Sequence, residues 1–142
     1  MKKIEKLIVI VCAVFMVAGS GLAAAACTQL DAKGTWRVNG VLWDKYGFDE
    51  TESIKCKIKV GSSGGISTSK SSCKVFGGGT VAVTGGKVVM ANNCAISGNL
   101  QTNQGRINFR SGQMDRSKNS FAILGVDSVL SFFEFYLDGI RQ

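Results

Sequence analysis

The chain has 142 residues, 45% of them hydrophobic, and carries 17 basic against 10 acidic side chains for a net charge of +7. It contains no histidine, which removes the usual general base, the Ser-His-Asp and Cys-His arrangements and the commonest zinc ligand. Its 18 glycines, 5 cysteines and complete lack of proline suit a single domain of short strands, any of which is free to be central in a sheet.

Residues 1–26 read as a cleaved secretory signal. Lys2, Lys3 and Lys6 make a basic start, residues 7–18 are a 12-residue apolar run, and residues 19–26 are small except for Leu22. Twelve apolar residues are too few to span a bilayer comfortably. Cleavage after Ala25 or Ala26 is expected, leaving one domain, residues 27–142, with 14 basic and 9 acidic side chains. Such a product is periplasmic or extracellular.

Four cysteines survive this cleavage, Cys27, Cys56, Cys73 and Cys94. An even number in an exported chain predicts two disulfides, and all three pairings stay open. Cys27 also stands where a lipoprotein would be acylated. Ala24 in place of the usual Leu, and the odd number of thiols left behind, argue against that anchor.

Helical periodicity is absent from the exported part, and period-two alternation replaces it. Residues 35–43 set Trp36, Val38 and Leu42 on one face and Arg37, Asn39, Val41 and Trp43 on the other. An acidic loop, residues 44–53, follows. In the next strand Ile54, Cys56, Ile58 and Val60 face inward while Lys55, Lys57 and Lys59 face water, the habit of an antiparallel sheet. Residues 61–65 turn the chain so that 66–76 run back beside that strand. Residues 80–84 and 87–91 predict a tight hairpin about Gly85-Gly86. Residues 94–102 pair with 106–114, and 121–126 and 129–137 finish the sheet.

About nine short strands with short connections predict an all-β fold, an antiparallel up-and-down meander closing into a small disulfide-bonded barrel or a two-sheet roll. A β-solenoid is the minor alternative, suggested by the echo of Cys56-Lys-Ile, Cys73-Lys-Val and Cys94-Ala-Ile.

Little in these strands carries chemistry. Oxidised cysteines supply no thiolate, and the glycine runs join strand to strand rather than opening a helix over a phosphate. Asp115, Asp127 and Glu134 read as solvated charges rather than an acid–base pair. The acidic loop lacks the spacing of an EF-hand, so no metal and no cofactor are expected, and no enzyme. Lys55, Lys57 and Lys59 form a basic stripe without interleaved aromatics; no nucleic acid is expected, and a solvated face that discourages edge pairing is the simpler reading. The final strand is apolar on both faces, with Phe133, Phe135 and Leu137 on one and Phe132 and Tyr136 on the other.

Residues 27–36, CTQLDAKGTW, resemble the opening strand of the calycin superfamily, the lipocalins and avidins. In that family a Gly-x-Trp places its Trp at the barrel floor, and lipocalins often set a basic residue from near the chain end against the ring. Gly34-Thr35-Trp36 matches the first feature, and the resemblance implies Arg141 for the second. The match spans ten residues. The Thr-Asp-Tyr motif of lipocalins and the Trp set of an avidin pocket are missing, so a closed antiparallel barrel is implied but no ligand.

The expected function is therefore an exported, non-catalytic binding module for a small apolar ligand or a macromolecular partner, with Trp36, Trp43, Phe133 and Phe135 as contacts. One alternative is a surface or matrix subunit that self-associates by strand pairing through the C-terminal strand. Another is a periplasmic inhibitor of a secreted hydrolase.

Overall fold

A computed structural model describes residues 26–44, 52–128 and 133–142. The signal-like stretch, most of the acidic loop, residues 129–132 and the Phe133 side chain lie outside the described part. Nine antiparallel strands are described: β1 (Gly34–Asp44), β2 (Glu52–Val60), β3 (Ser72–Val75), β4 (Thr80–Val81), β5 (Val83–Met90), β6 (Ile96–Thr102), β7 (Gly105–Met114), β8 (Ser120–Asp127) and β9 (Phe133–Arg141). Among the described residues no helix is long and apolar enough to cross a membrane.

Their order is β4-β3-β2-β1-β9-β8-β7-β6-β5, so neighbours in sequence are neighbours in space and β9 returns to β1. Only Ala82 separates β4 from β5, which makes the two ends of that order a single run of chain. The run leading into β3 completes the circle: Ile66 N–H donates to Gly86 O (3.1 Å) and Val88 N–H to Gly64 O (2.9 Å). Counting β4 and β5 as one stave, the fold is an eight-stranded, up-and-down antiparallel barrel. Closure removes the two-sheet roll and the solenoid.

Alternation in the sequence becomes inside and outside. Ile54, Cys56, Ile58 and Val60 are buried, whereas Lys55 and Lys57 are exposed and Lys59 is half-buried. Trp36, Val38, Ile96, Leu100, Ile107, Ile123, Phe135 and Leu137 supply the same inner layer from the other strands, and no polar side chain is buried among the described residues. Burying each such side chain contributes on the order of 2 kcal/mol.

The Gly85-Gly86 hairpin is a correction. β5 runs straight through both glycines, with a register shift against β6 between Val83 and Gly85. Gly86 has φ +129°, and a Cβ there would lie 2.5 Å from Asn99 O. The pair marks a bulge and a close backbone approach where the barrel wall bends, the other use of strand glycines.

Both disulfides form. Cys56 and Cys73 are direct cross-strand partners on β2 and β3, with Cα atoms 4.0 Å apart. Cys27 joins Cys94, tying the segment before β1 to the turn between β5 and β6. Two disulfides indicate an oxidising, non-cytoplasmic setting. Because the Cys27 sulfur is bonded to Cys94, it is not free for the lipid thioether of a lipoprotein.

Candidate functional site

The two ends of the barrel differ. A 3₁₀ turn, Gln29–Ala32, plugs one end. Its Gln29 amide behaves like a piece of strand, donating to Val88 O and accepting from Met90 N–H, both at 3.0 Å, along the edge of β5 beyond the Gly65–Lys87 bridge. Trp36, 2% exposed, donates from Nε1 to Ala32 O at 2.9 Å and packs against Phe121 with ring centroids 5.1 Å apart. Arg141 lies over the Trp36 ring at 4.8 Å and donates to Asp31 O, the placement that the Gly-x-Trp resemblance implied. Lys118 Nζ reaches Asp31 Oδ2 at 2.9 Å from the turn between β7 and β8.

Charge and hydrogen bonding explain the electrostatics of this end. The Asp31 carboxyl is held below its ordinary pKa by Lys118 first and by the Thr28 backbone N–H (2.7 Å) second. Asp115 is also lowered, by the Ser117 hydroxyl and by the backbone N–H groups of Ser120 and Asn119 at 2.9 and 3.0 Å. Those bonds shape the turn that aims Lys118, whose φ is +60°. Just inside the plug is an apolar void of about 40 Å³, lined by Trp36, Val38, Ile58 and Phe121 among others. It is too small for an organic ligand. This end is a structural floor.

Among the described residues the opposite end is open and holds a cavity of about 220 Å³. Leu42, Ile54, Val75, Val81, Ile107 and Phe135 form its apolar wall. Thr102, Gln104 and Asp127 bring polar atoms to the wall. Each wall residue is the first or second inward position counted from its strand's open end, so the cavity follows from where the strands start and stop there. Thr102 is fixed by its turn: its hydroxyl donates to Gly105 O at 3.1 Å and accepts from the Gln104 and Gly105 N–H groups at 3.2 Å.

The four residues expected to contact ligand are not brought together. Phe135 lines the open cavity. Trp36 belongs to the floor at the other end. Trp43 sits between the inward Leu42 and the end of β1, on the outer face and opposite Glu134, so it does not join the cavity. Phe133 has a described backbone position opposite Asp44 but no described side chain. Reading the inward positions nearest each strand's open end would have found Val75, Val81 and Ile107; their assembly needs the barrel closed, which no local pattern states.

Three carboxylates weighed as a catalytic pair are also apart. Asp115 lies in a turn at the plugged end and Asp127 at the open end, while Glu134 is on the outer face 3.8 Å from Arg110. Among the described residues no group of three His, Cys, Asp or Glu side chains could hold a metal. The acidic loop lies mostly outside the described residues. β9 has β1 on one edge and β8 on the other, so pairing through a free edge of the C-terminal strand is not open to it.

No family model matches the chain, and no curated protein matches it. Two solved structures are similar in fold. One is a de novo designed fluorescence-activating β-barrel, with TM-score 0.54 and 16% identity over 78% of this chain and 93% of the design. The second is a redesigned β-barrel, with TM-score 0.53 and 15% identity over 87% and 99% of the two chains. At these identities the likeness concerns the small β-barrel and nothing finer.

Proposed function

We propose that the protein is an exported, non-catalytic binding protein that takes a small apolar ligand into the open end of its barrel. The observation that carries this reading is the cavity of about 220 Å³ walled by Leu42, Ile54, Val75, Val81, Ile107 and Phe135. An engineered apolar cavity of about 150 Å³ suffices to hold benzene, so one or two fused rings fit this one. A wall of fixed strands also limits the ordering that binding demands. Polar atoms of Thr102, Gln104 and Asp127 orient one polar group of the ligand toward the mouth. The signal-like N-terminus and the disulfides support delivery to the periplasm or the cell exterior.

The test is titration with a neutral naphthalene dye whose emission moves to the blue in apolar surroundings. Saturation on the order of 10 μM is expected, with Ile107→Phe abolishing it by filling the cavity. A linear response, or one that Ile107→Phe leaves unchanged in a folded protein, removes the reading.

A second reading has its own observation. Val41, Tyr136 and Leu124 stand side by side across β1, β9 and β8 on the outer face, 38%, 42% and 44% exposed. A subunit contact through these side chains keeps the structural-subunit alternative without a free strand edge. A monomer in sedimentation at high concentration eliminates it.

A further inference from the structure

The lysine stripe of β2 has neighbours that its own strand does not show. Arg37 on β1 is the direct partner of Lys57, and Lys74 on β3 is the direct partner of Lys55. With Lys59 one step along β2, five cations occupy the outer faces of three adjacent strands. Arg37, Lys55, Lys57 and Lys74 are exposed and Lys59 is half-buried. Among the described residues no carboxylate forms a salt bridge with any of the five; Asp138, the nearest acid across β1, stands opposite Asn39.

Folding does not explain this arrangement. Like charges placed directly opposite each other on a sheet destabilise it, and here there are two such pairs. Protection of a sheet edge, the simple use for strand lysines, is also excluded because β2 lies between β1 and β3 in a closed barrel. The charges are thus held together at a cost in stability on a strand that needs no guarding.

We propose that the outer face of β1, β2 and β3 binds a linear acidic polysaccharide. Cations recur along β2 at about 6.7 Å and across strands at about 4.8 Å, a fixed grid suited to a chain of regularly spaced carboxylates or sulfates. Thr35, Asn39 and Ser72 fill the grid positions between the cations, opposite Lys59, Lys55 and Lys57, and supply donors and acceptors for sugar hydroxyls. No apolar side chain is interleaved for insertion into a lipid surface, and no aromatics for stacking successive bases. A single ring, Phe76, 83% exposed beside Ser53, offers the open-end edge of the face one stacking platform for a sugar. This surface is outside the barrel and independent of the interior cavity.

The experiment is calorimetric titration of the oxidised protein with polygalacturonate, with oligothymidylate and phosphatidylglycerol vesicles as separate arms. Saturable binding to polygalacturonate that weakens steeply with salt is expected. The double variant Lys55→Gln/Lys57→Gln should lose about tenfold in affinity while melting no lower than the parent, since it relieves repulsion. A control with the same charge change, Lys33→Gln/Arg116→Gln, should stay within about twofold. Equal loss in both variants reduces the effect to net charge and overturns the proposal. So does absence of polygalacturonate binding, or tighter binding to the oligonucleotide or to the vesicles.

Discussion

Arg141 covers Trp36, its guanidinium carbon 4.8 Å from the ring centroid, and so the end of β9 locks the first strand of the barrel. The same guanidinium donates to Asp31 O of the plug, while its Nε is buried with no hydrogen-bond partner among the described residues. An orphaned polar atom is tolerable there because the charge it belongs to is stabilised by the ring's π face. Replacing Arg141 by Ala should cost about 2 kcal/mol, the scale of a desolvated cation–π contact, and loosen the plug. In a Trp43→Phe background the remaining Trp36 emission should shift to the red. Chemical denaturation and fluorescence spectra of the variant check both effects.

The pairing of the cysteines is specific enough to be tested directly. A non-reduced digest should contain the Cys27–Cys94 and Cys56–Cys73 linked peptides and neither of the other two pairings. With loops of 17 and 67 residues, loss of Cys56–Cys73 should cost about 3 kcal/mol and loss of Cys27–Cys94 about 4 kcal/mol on the chain-entropy scale. Paired Cys→Ala double variants in a denaturant series measure the difference.

Acid should weaken the plugged end first. Asp31 and Asp115 both have folded-state pKa values below the ordinary 3.8, through Lys118 and backbone N–H donors in one case and Ser117 and backbone N–H donors in the other. Their contribution is fully present above the unfolded pKa and is lost as pH falls through the lowered folded values. The melting temperature should therefore be level down to about pH 5 and fall below about pH 4. Asp31→Asn should melt lower than the parent at neutral pH and show a shallower acid decline. Thermal melts across this pH range read both.

Backbone approach at β5 and β6 sets a steric requirement. Gly98 has φ +124°, and a Cβ there would sit 1.9 Å from Lys87 O. Gly98→Ala should cost about 3 kcal/mol or more, because backbone and not a movable side chain must shift. Gly79 has nothing within 4 Å of its Cβ position, and Gly79→Ala should stay within about 0.5 kcal/mol. Denaturation midpoints of the pair separate a packing requirement from a general glycine effect.

Much of this molecule is legible one strand at a time. Ile54, Cys56, Ile58 and Val60 alternating with three lysines state an inner and an outer face with no help from the rest of the chain, because a strand's side chains have period two. The same rule identifies Trp36 and Val38 as core, and the even number of cysteines after residue 26 states two disulfides. Gly85-Gly86 was not legible, since glycine serves a hairpin turn and a strand bulge equally well until the neighbouring backbone is known.

Alternation alone therefore determined the fold class, the inward residues and the outward charge, since each depends only on which way successive side chains point. Closure determined the rest. It paired Cys27 with Cys94, set Arg141 on Trp36, emptied a cavity behind Ile107 and Phe135, and put Arg37 and Lys74 beside the lysines of β2. Those relationships join residues up to more than a hundred positions apart, and distance along a chain carries no record of which strands will end up adjacent until the sheet has curled round to meet itself.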